Sequence, residues 1–297
     1  MRVVVTGSTG LIGSALVANL RGEGHEVRRL VRHIPRANDE RQWFPSSGEL
    51  DPEAVDGFDA VVHLAGAGIG DHRWTDGYKQ QIRDSRVQGT TAVATAIASA
   101  TNRPRVLVSG SAVGYYGDTG DDAADERSPS GNGFLPAVVR DWEAAASPAR
   151  DAGARVVTIR TGLVLSADGG LLGPLLPLFR LGLGGRLGSG KQWMSWISIA
   201  VHIAAVRFLI GHDDVSGAVN LTAPEPVRNK DFTKALARAV HRPAIAIVPS
   251  PALRVALGGF ADEGALVSQR VLPTRLEDAG FTFTFVDIDA ALRALVD

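Results

Sequence analysis

Apolar residues recur along the first half of this chain in two alternating rhythms. Short, β-branched runs predict strands: RVVVTG (2–7), EVRRLVR (26–32), FDAVVHLAGAG (58–68), RVLVSGSAV (105–113) and RVVTIRTGLVL (155–165). Between them the period lengthens to that of a helix. LIGSALVANLRGEG (11–24) sets Leu11, Ala15, Ala18 and the pair Val17/Leu20 on one face, and Gly22 and Gly24 end it. A second helical run covers 86–100. A third, 134–147, stacks Phe134, Val138 and Trp142 at i, i+4 and i+8 before Pro148 kinks or ends it. Strands separated by such helices imply right-handed βαβ units and a parallel sheet covered on both faces. Residues 1–165 therefore read as an α/β, Rossmann-type, doubly wound core.

The second half is less regular. Residues 166–193 are rich in glycine around a predicted helix at 175–183. WISIAVHIAAVRFLIG (196–211) reads as a strand feeding a helix, and AVNLTAP (218–224) as a short strand and loop. NKDFTKALARAVHR (229–242) predicts a helix with Asn229 as its cap. The last fifty residues predict two or three short helices. Residues 166–297 thus form a smaller C-terminal α/β lobe against the carboxyl ends of the strands, where open α/β sheets bind ligands.

Bulk properties narrow the classes. The chain has 297 residues, enough for a large core. Its net charge of −1 gives no electrostatic reason to expect nucleic acid or an anionic membrane. The absence of cysteine excludes disulfides, thiolate metal ligands and a Cys nucleophile. MRVVVTG already reads as strand and turn, leaving no room for a cleavable leader, and no apolar run reaches a membrane-spanning length. The expectation is a soluble cytoplasmic protein, with a homodimer allowed, a small-molecule substrate and no clustered metal ligands.

The turn between the first strand and first helix reads T6-G7-S8-T9-G10-L11-I12-G13. Gly7 allows a tight turn, Gly10 a close approach to pyrophosphate and Gly13 close helix–sheet packing, while the helix N-terminus offers free N–H groups. An NAD site would place an acid near the end of the second strand. Here Arg28, Arg29 and Arg32 occupy that region and no acid appears until Asp39. Arg32 can meet a 2′-phosphate with a forked contact, so NADP(H) is expected over NAD(H). Leu64 and Ala65, after the next parallel strand, are expected beside the adenosine. His63 reads as a buried, hydrogen-bonded histidine rather than a base.

TGSTGLIG, HLAG and VSGSAVGYYGD together resemble the extended short-chain dehydrogenase/reductase superfamily of nucleotide-sugar epimerases and dehydratases. RWTDGYKQQIRDSRVQGT (73–90), RDWEAAA (140–146), LGLGGRLGSGKQWMSWI (181–197), NLTAPEPVRNKDFTKALARA (220–239) and QRVLP (269–273) are similar to its NADP-binding "epimerase family" subgroup. That subgroup carries its own C-terminal module, at about 249–297 here. The resemblance implies that Gly7, Ser8, Thr9, Gly10, Leu11, Ile12 and Gly13 bind the pyrophosphate. It implies further that Gln81 and Arg86 flank the cofactor and that Val164 lies near the nicotinamide. In the subgroup SWI usually runs on into a His and acids; Ser198, Ala200 and Val201 depart from that here.

By the same resemblance Ser111 holds the substrate oxygen, and a Tyr about two dozen residues later should act as acid and base with a Lys four positions on. A tyrosine titrates near ~10 unaided, so the Lys matters. The tyrosines are Tyr78, Tyr115 and Tyr116, and four residues after them stand Ile82, Thr119 and Gly120. No Tyr-x-x-x-Lys exists; GNGFLPAVVRDWEAAA (131–146) has Phe134/Val138 or Leu135/Val139 instead. Three readings follow: Tyr115 or Tyr116 substitutes as the acid, substrate or water supplies the proton, or the protein binds NADP without turnover as a sensor or partner-binding module. Arg160 and Arg186, with Lys191 and Gln192, either meet an anionic substrate or form a basic surface.

Overall fold

The computed structural model describes residues 1–296. Seven strands form one sheet: β1 (Arg2–Thr6), β2 (Glu26–Val31), β3 (Glu40–Gln42), β4 (Ala60–His63), β5 (Val106–Ala112), β6 (Arg155–Thr161) and β7 (Gly217–Leu221). They lie in the order β3-β2-β1-β4-β5-β6-β7, and every neighbouring pair is parallel. The order reverses between β1 and β4, which opens a crevice at their carboxyl ends. Val3, Val4 and Val5 have no exposed surface, as a strand covered on both faces requires.

The covers are helical. α1 (Leu11–Gly22) buries Leu16, Val17 and Leu20 on one face of the sheet, against the side that Val201, Val206 and Leu209 also cover. α2 (Asp76–Ser99) buries Ala92, Val93 and Ile97 on the other. α2 starts ten residues earlier than its apolar period predicts, because the Thr75 side chain accepts a hydrogen bond from the Tyr78 N–H at 3.2 Å and caps it.

Four expectations change. The expected α3 run to residue 147 is two helices: α3 (Phe134–Ala144) and α4 (Ser147–Asp151), with Pro148 in the first turn of α4, where its missing N–H costs nothing. α5 spans Leu172–Arg180. The second half of the chain is not a separate layer. α6 (Ile199–Gly211) joins the main core and Gly217–Leu221 completes the sheet, so residue 165 does not bound the sheet. In α7 (Asn229–Ala239), Arg228 holds the N-cap position; Asn229 is buried and its Oδ1 accepts from the Leu187 N–H at 2.8 Å instead. The chain then leaves the helix, with His241 left-handed at φ 53°.

A second apolar core joins Leu172, Leu176 and Phe179 of α5 with Trp196, Phe232, Leu236 and Leu292. The last segment contributes α8 (Ser250–Leu257), a π-helical turn at Ala261–Ala265, α9 (Thr274–Asp278) and α10 (Ile288–Val296).

Candidate cofactor and catalytic site

Backbone clearance shapes the crevice. Gly7 is left-handed at φ +64°, and a Cβ there would stand 2.8 Å from the Leu64 carbonyl. A Cβ on Gly13 would meet the Gly7 oxygen at 2.1 Å. The glycines therefore let β1, α1 and the end of β4 touch. Gly10 is the N-cap of α1, with no side-chain cap and no acid in the first turn, so the helix N-terminus is left for an external anion. Ser8 Oγ is buried with no partner, and Thr9 is exposed beside it. Leu11 lies against Gly170, whose own Cβ would meet the Val164 oxygen at 3.0 Å. Ile12, Leu64 and Val164 sit half-buried on the α1 face of the sheet, while Ala65 packs on the α2 face.

Thr6 ties this floor together. Its Oγ1 accepts from the Leu64 and Ala65 N–H groups at 3.0 and 3.2 Å and lies 2.8 Å from His63 Nδ1. His63 has no exposed surface, and burial pushes it down to about 4. It is a neutral structural group, as its sequence setting suggests.

The three arginines of the second strand divide by what they hold. Arg28 donates to the carbonyls of Glu53 and Ala54 at 3.1 Å. Arg29 pairs with Asp39 at 2.6 Å and Glu40 at 3.0 Å, and Arg21 also pairs with Asp39. The first acid after the strand is thus already neutralised. Arg32 is exposed, and its guanidinium makes no hydrogen bond or ion pair among the described residues. Uncapped helix, orphaned Ser8 hydroxyl, Cβ-free cradle and uncommitted Arg32 together fit a dinucleotide carrying a 2′-phosphate.

Arg86 and Gln81 differ. Arg86 donates to the Ala67 carbonyl at 2.9 Å, lies beside Gly66 and sits 5.0 Å over the Trp142 ring; burial pushes it down to about 10. It braces the loop after β4. Gln81 is exposed and has no side-chain partner among the described residues.

Strand register assembles the other side of the site. Ser111, Arg160 and Asn220 are paired neighbours on β5, β6 and β7. Ser111 Oγ donates to Glu143 Oε1 of α3 at 2.6 Å. Arg160 grips the same carboxylate with two nitrogens, at 2.8 and 2.9 Å. Its third nitrogen donates to the Tyr116 hydroxyl at 3.0 Å, which in turn donates to Asn220 Oδ1 at 2.8 Å. Burial opposes the charge on Arg160, but its bonds to Glu143 and Tyr116 outweigh this and raise its pKa. Arg160 is therefore committed inside the protein and does not reach a substrate anion. Arg186 likewise donates to carbonyls of its own loop, at Gly188 and Ser189.

The tyrosines are unequal. Tyr116 is buried, and burial pushes its hydroxyl up to about 12 despite Arg160. Both its donor and an acceptor site are occupied, so it is poorly placed to exchange a proton with a substrate. Tyr115 is half-buried; Arg160 lies 3.4 Å from its ring centroid, and its hydroxyl has no partner among the described residues. Where a Tyr and Lys are expected, Val138 and Val139 are buried and Phe134 packs on Trp74 at 5.2 Å.

Sequence reasoning missed three residues here. Glu143 is the sole acid of RDWEAAA that turns inward; Asn220 ends the network; Gln269, in QRVLP, donates to the carbonyls of Val113 and Gly117 at 3.3 and 3.1 Å and clamps the Tyr115–Tyr116 turn. Their one signal was membership of segments that match the family. Glu263 adds a further long-range brace, accepting from the Leu135 N–H at 2.8 Å where α3 has no cap of its own.

Comparison with known proteins agrees with this geometry. The model of the NAD dependent epimerase/dehydratase family matches residues 3–222, and a domain of unknown function matches residues 248–295. An epimerase family protein of Mycobacterium bovis is 50% identical over 290 residues, covering 98% of this chain and 96% of that protein. A chloroplastic SDR39U1 homologue of Arabidopsis thaliana is 40% identical, covering 100% and 87% respectively. The crystal structure of human epimerase family protein SDR39U1 (isoform2) with NADPH superimposes with a TM-score of 0.91 at 33% identity, covering 100% of this chain and 99% of that one. Among the described residues no helix is long and apolar enough to cross a membrane. With one family model across most of its length and such relatives across nearly all of it, the chain belongs to the NAD dependent epimerase/dehydratase family.

Proposed function

We propose that this protein is an NADP(H)-dependent oxidoreductase acting on an alcohol or carbonyl carbon held at Ser111, with an atypical proton-handling group. The observation that carries this reading is Arg32, left uncommitted at the mouth of a Cβ-free dinucleotide cradle. The NADPH in the human relative supports the same choice. When bound, the cofactor supplies hydride exchange with the substrate carbon. Gly7, Gly10 and Gly13 admit the pyrophosphate, Ser8 and Thr9 offer hydroxyls to it, and Leu11 and Ile12 present helix N–H groups. Leu64 and Ala65 flank the adenosine, Arg86 steadies the loop beside it, and Val164 borders the nicotinamide. Ser111 orients the substrate oxygen, and Tyr115, whose hydroxyl has no partner among the described residues, is the tyrosine left to serve as the acid.

A second reading has its own support. Tyr116 is locked and no Tyr–Lys pair exists, as suits a cofactor-binding sensor without turnover. Titration with NADPH and NADH, followed by a carbonyl screen on the wild type and the Tyr115→Phe/Tyr116→Phe protein, separates them. NADPH-selective binding with turnover supports the oxidoreductase; selective binding without turnover supports the sensor. Failure to bind either cofactor defeats both.

A further inference from the structure

We infer that one corner of the C-terminal lobe docks on an anionic lipid surface, laying aliphatic side chains into the headgroup boundary and arginines against lipid phosphates. The inference goes beyond the oxidoreductase reading and does not rest on it. Its ground is a set of exposed aliphatic side chains gathered beside a groove of arginines. Ten large apolar side chains are exposed among the described residues, and Leu178, Leu181, Leu183, Ile245 and Ile247 are five of them. Leu181 is 72% exposed, Leu183 63% and Ile245 87%. Scattered exposed hydrophobes need no explanation, but five at one corner do.

Backbone bonds bring them together. α5 ends in a turn in which the Leu183 N–H donates to the Leu178 carbonyl at 2.9 Å, with Gly182 left-handed at φ +73°. The strand Gly185–Leu187 then pairs in parallel with Ala246–Val248, and the Ala246 N–H donates to the Gly184 carbonyl at 3.3 Å. Ile245 therefore stands beside the α5 turn. Arg242 ties the end of α7 to the same turn, its Nε donating to the Arg180 carbonyl at 3.2 Å. From there the surface falls into an open groove of about 540 Å³ between α7 and α10, lined by Ala237, Arg238, His241, Arg242, Asp289 and Arg293. Asp289 is matched by two bonds from Arg238, both at 2.8 Å. Arg242 bonds only to carbonyls, and Arg180 is exposed; neither has an acidic partner among the described residues.

Charge selects the occupant. The whole chain carries −1, yet residues 169–212 and 232–261, which build this corner, contain no Asp or Glu. The overall balance hides a local excess of cations, among them Arg180, Arg186, Lys234 and Arg242. A second copy docking by the same face would set cation against cation, so the charge opposes self-association. Shape separates the other occupants. The aliphatic side chains project from a turn and a two-stranded ribbon, while the recess beside them is lined mainly by cations. A folded protein partner needs an apolar recess for its own anchors. A bilayer surface needs none: projecting aliphatics enter its soft boundary, and neighbouring cations meet its phosphates. Among the described residues no helix is long and apolar enough to cross a membrane, so the contact proposed is peripheral.

The test uses the full chain with vesicles of phosphatidylcholine, alone or mixed equally with phosphatidylglycerol, and reads co-sedimentation. Wild type should bind the mixed vesicles, more weakly as salt rises, and ignore the neutral ones. Leu181→Ser/Ile245→Ser should weaken binding on the order of 10–100-fold. Arg180→Gln/Arg242→Gln should weaken it about 10-fold and flatten its salt dependence. Both variants should keep the wild-type urea midpoint, because all four side chains are exposed. Hydrogen exchange on the wild type needs no variant: mixed vesicles should protect residues 178–187 and 243–248 and leave the glycine turn at 7–13 unchanged. No binding to the mixed vesicles, equal binding to both kinds, binding that neither variant changes, or protection elsewhere overturns the inference. So does full competition by free glycerophosphoglycerol, which would make the groove a site for a soluble anion. Vesicles ignored while an acidic amphipathic peptide protects the same corner overturn it in favour of a protein partner. A dimer in sedimentation velocity that Leu181→Ser/Ile245→Ser breaks overturns it in favour of self-association.

Discussion

Arg32 and Arg160 stand at the ends of strands in the same sheet, and the protein uses them in opposite ways. Arg160 has every direction filled: Glu143 takes two of its nitrogens, Tyr116 a third, and the Tyr115 ring covers its face. Arg32 is exposed, and its guanidinium holds no partner among the described residues. The first acid after its strand, Asp39, is shared by Arg21 and Arg29. The contrast separates two uses of one side chain. A buried cation with a saturated shell stabilises and aligns its neighbours, whereas an exposed one with no partner is available to a ligand.

The strongest way to break this comparison is to remove each arginine and measure stability. Arg160→Met strands the Glu143 carboxylate and Tyr116 hydroxyl, which should cost about 3–5 kcal/mol in urea unfolding. Arg32→Met should change the same midpoint by less than about 0.5 kcal/mol. Equal effects would erase the distinction.

A pH axis sharpens it next. One buried histidine lies under each region: His63 beneath the crevice, and His202, 3.1 Å from Thr161, beside β6. Burial lowers both to about 4 from an ordinary value of 6.5. The unfolded chain therefore binds more protons between those values. Stability is fully present above pH 6.5 and falls as pH drops toward 4. Each histidine should contribute roughly 3 kcal/mol to that loss, read by urea melts across the window. His63→Asn and His202→Gln should each flatten part of the slope, and an unchanged slope in both would show that neither is buried neutral.

Smaller and more selective is the cofactor effect. Arg32→Ala should weaken NADPH by about 10–100-fold, the worth of a charge-assisted contact, and leave NADH unchanged by calorimetry. Smallest of all, Ser198→Ala should cost about 1 kcal/mol, because the Ser198 side chain caps α6 by accepting from the Val201 N–H. That result would show the serine replacing, as a helix start, the polar residues usual after SWI in the subgroup.

The two regions were also unequally legible. The crevice is written locally: Gly7 to Gly13 span one turn, and Gly7 and Gly13 each answer a steric demand from a neighbour in sequence or across one strand pair. Arg32 was legible for the same reason, since the absence of a nearby acid is itself a local fact. The Ser111 network was not. Glu143, Arg160 and Asn220 meet Ser111 only through parallel register and the packing of α3, and Gln269 arrives from more than 150 residues away. Tyr116 looked like a proton donor because sequence shows a hydroxyl but not its partners. Asn229 looked like a cap because its helix begins there, yet a strand N–H at Leu187 claims its oxygen.

The clamp from Gln269 gives the site a history as well as a shape. A chain emerges from the ribosome amino end first, at about 5–20 residues per second. The glycine turn and the strand it touches are complete once residue 65 has appeared, but Gln269 and the Leu272 carbonyl that receives Asn220 come some two hundred residues later. The interval is roughly 10–40 s. Nascent chains halted before residue 269 should therefore carry the cradle's glycine turn while Val113 and Gly117 still lack the donor that holds the tyrosine turn.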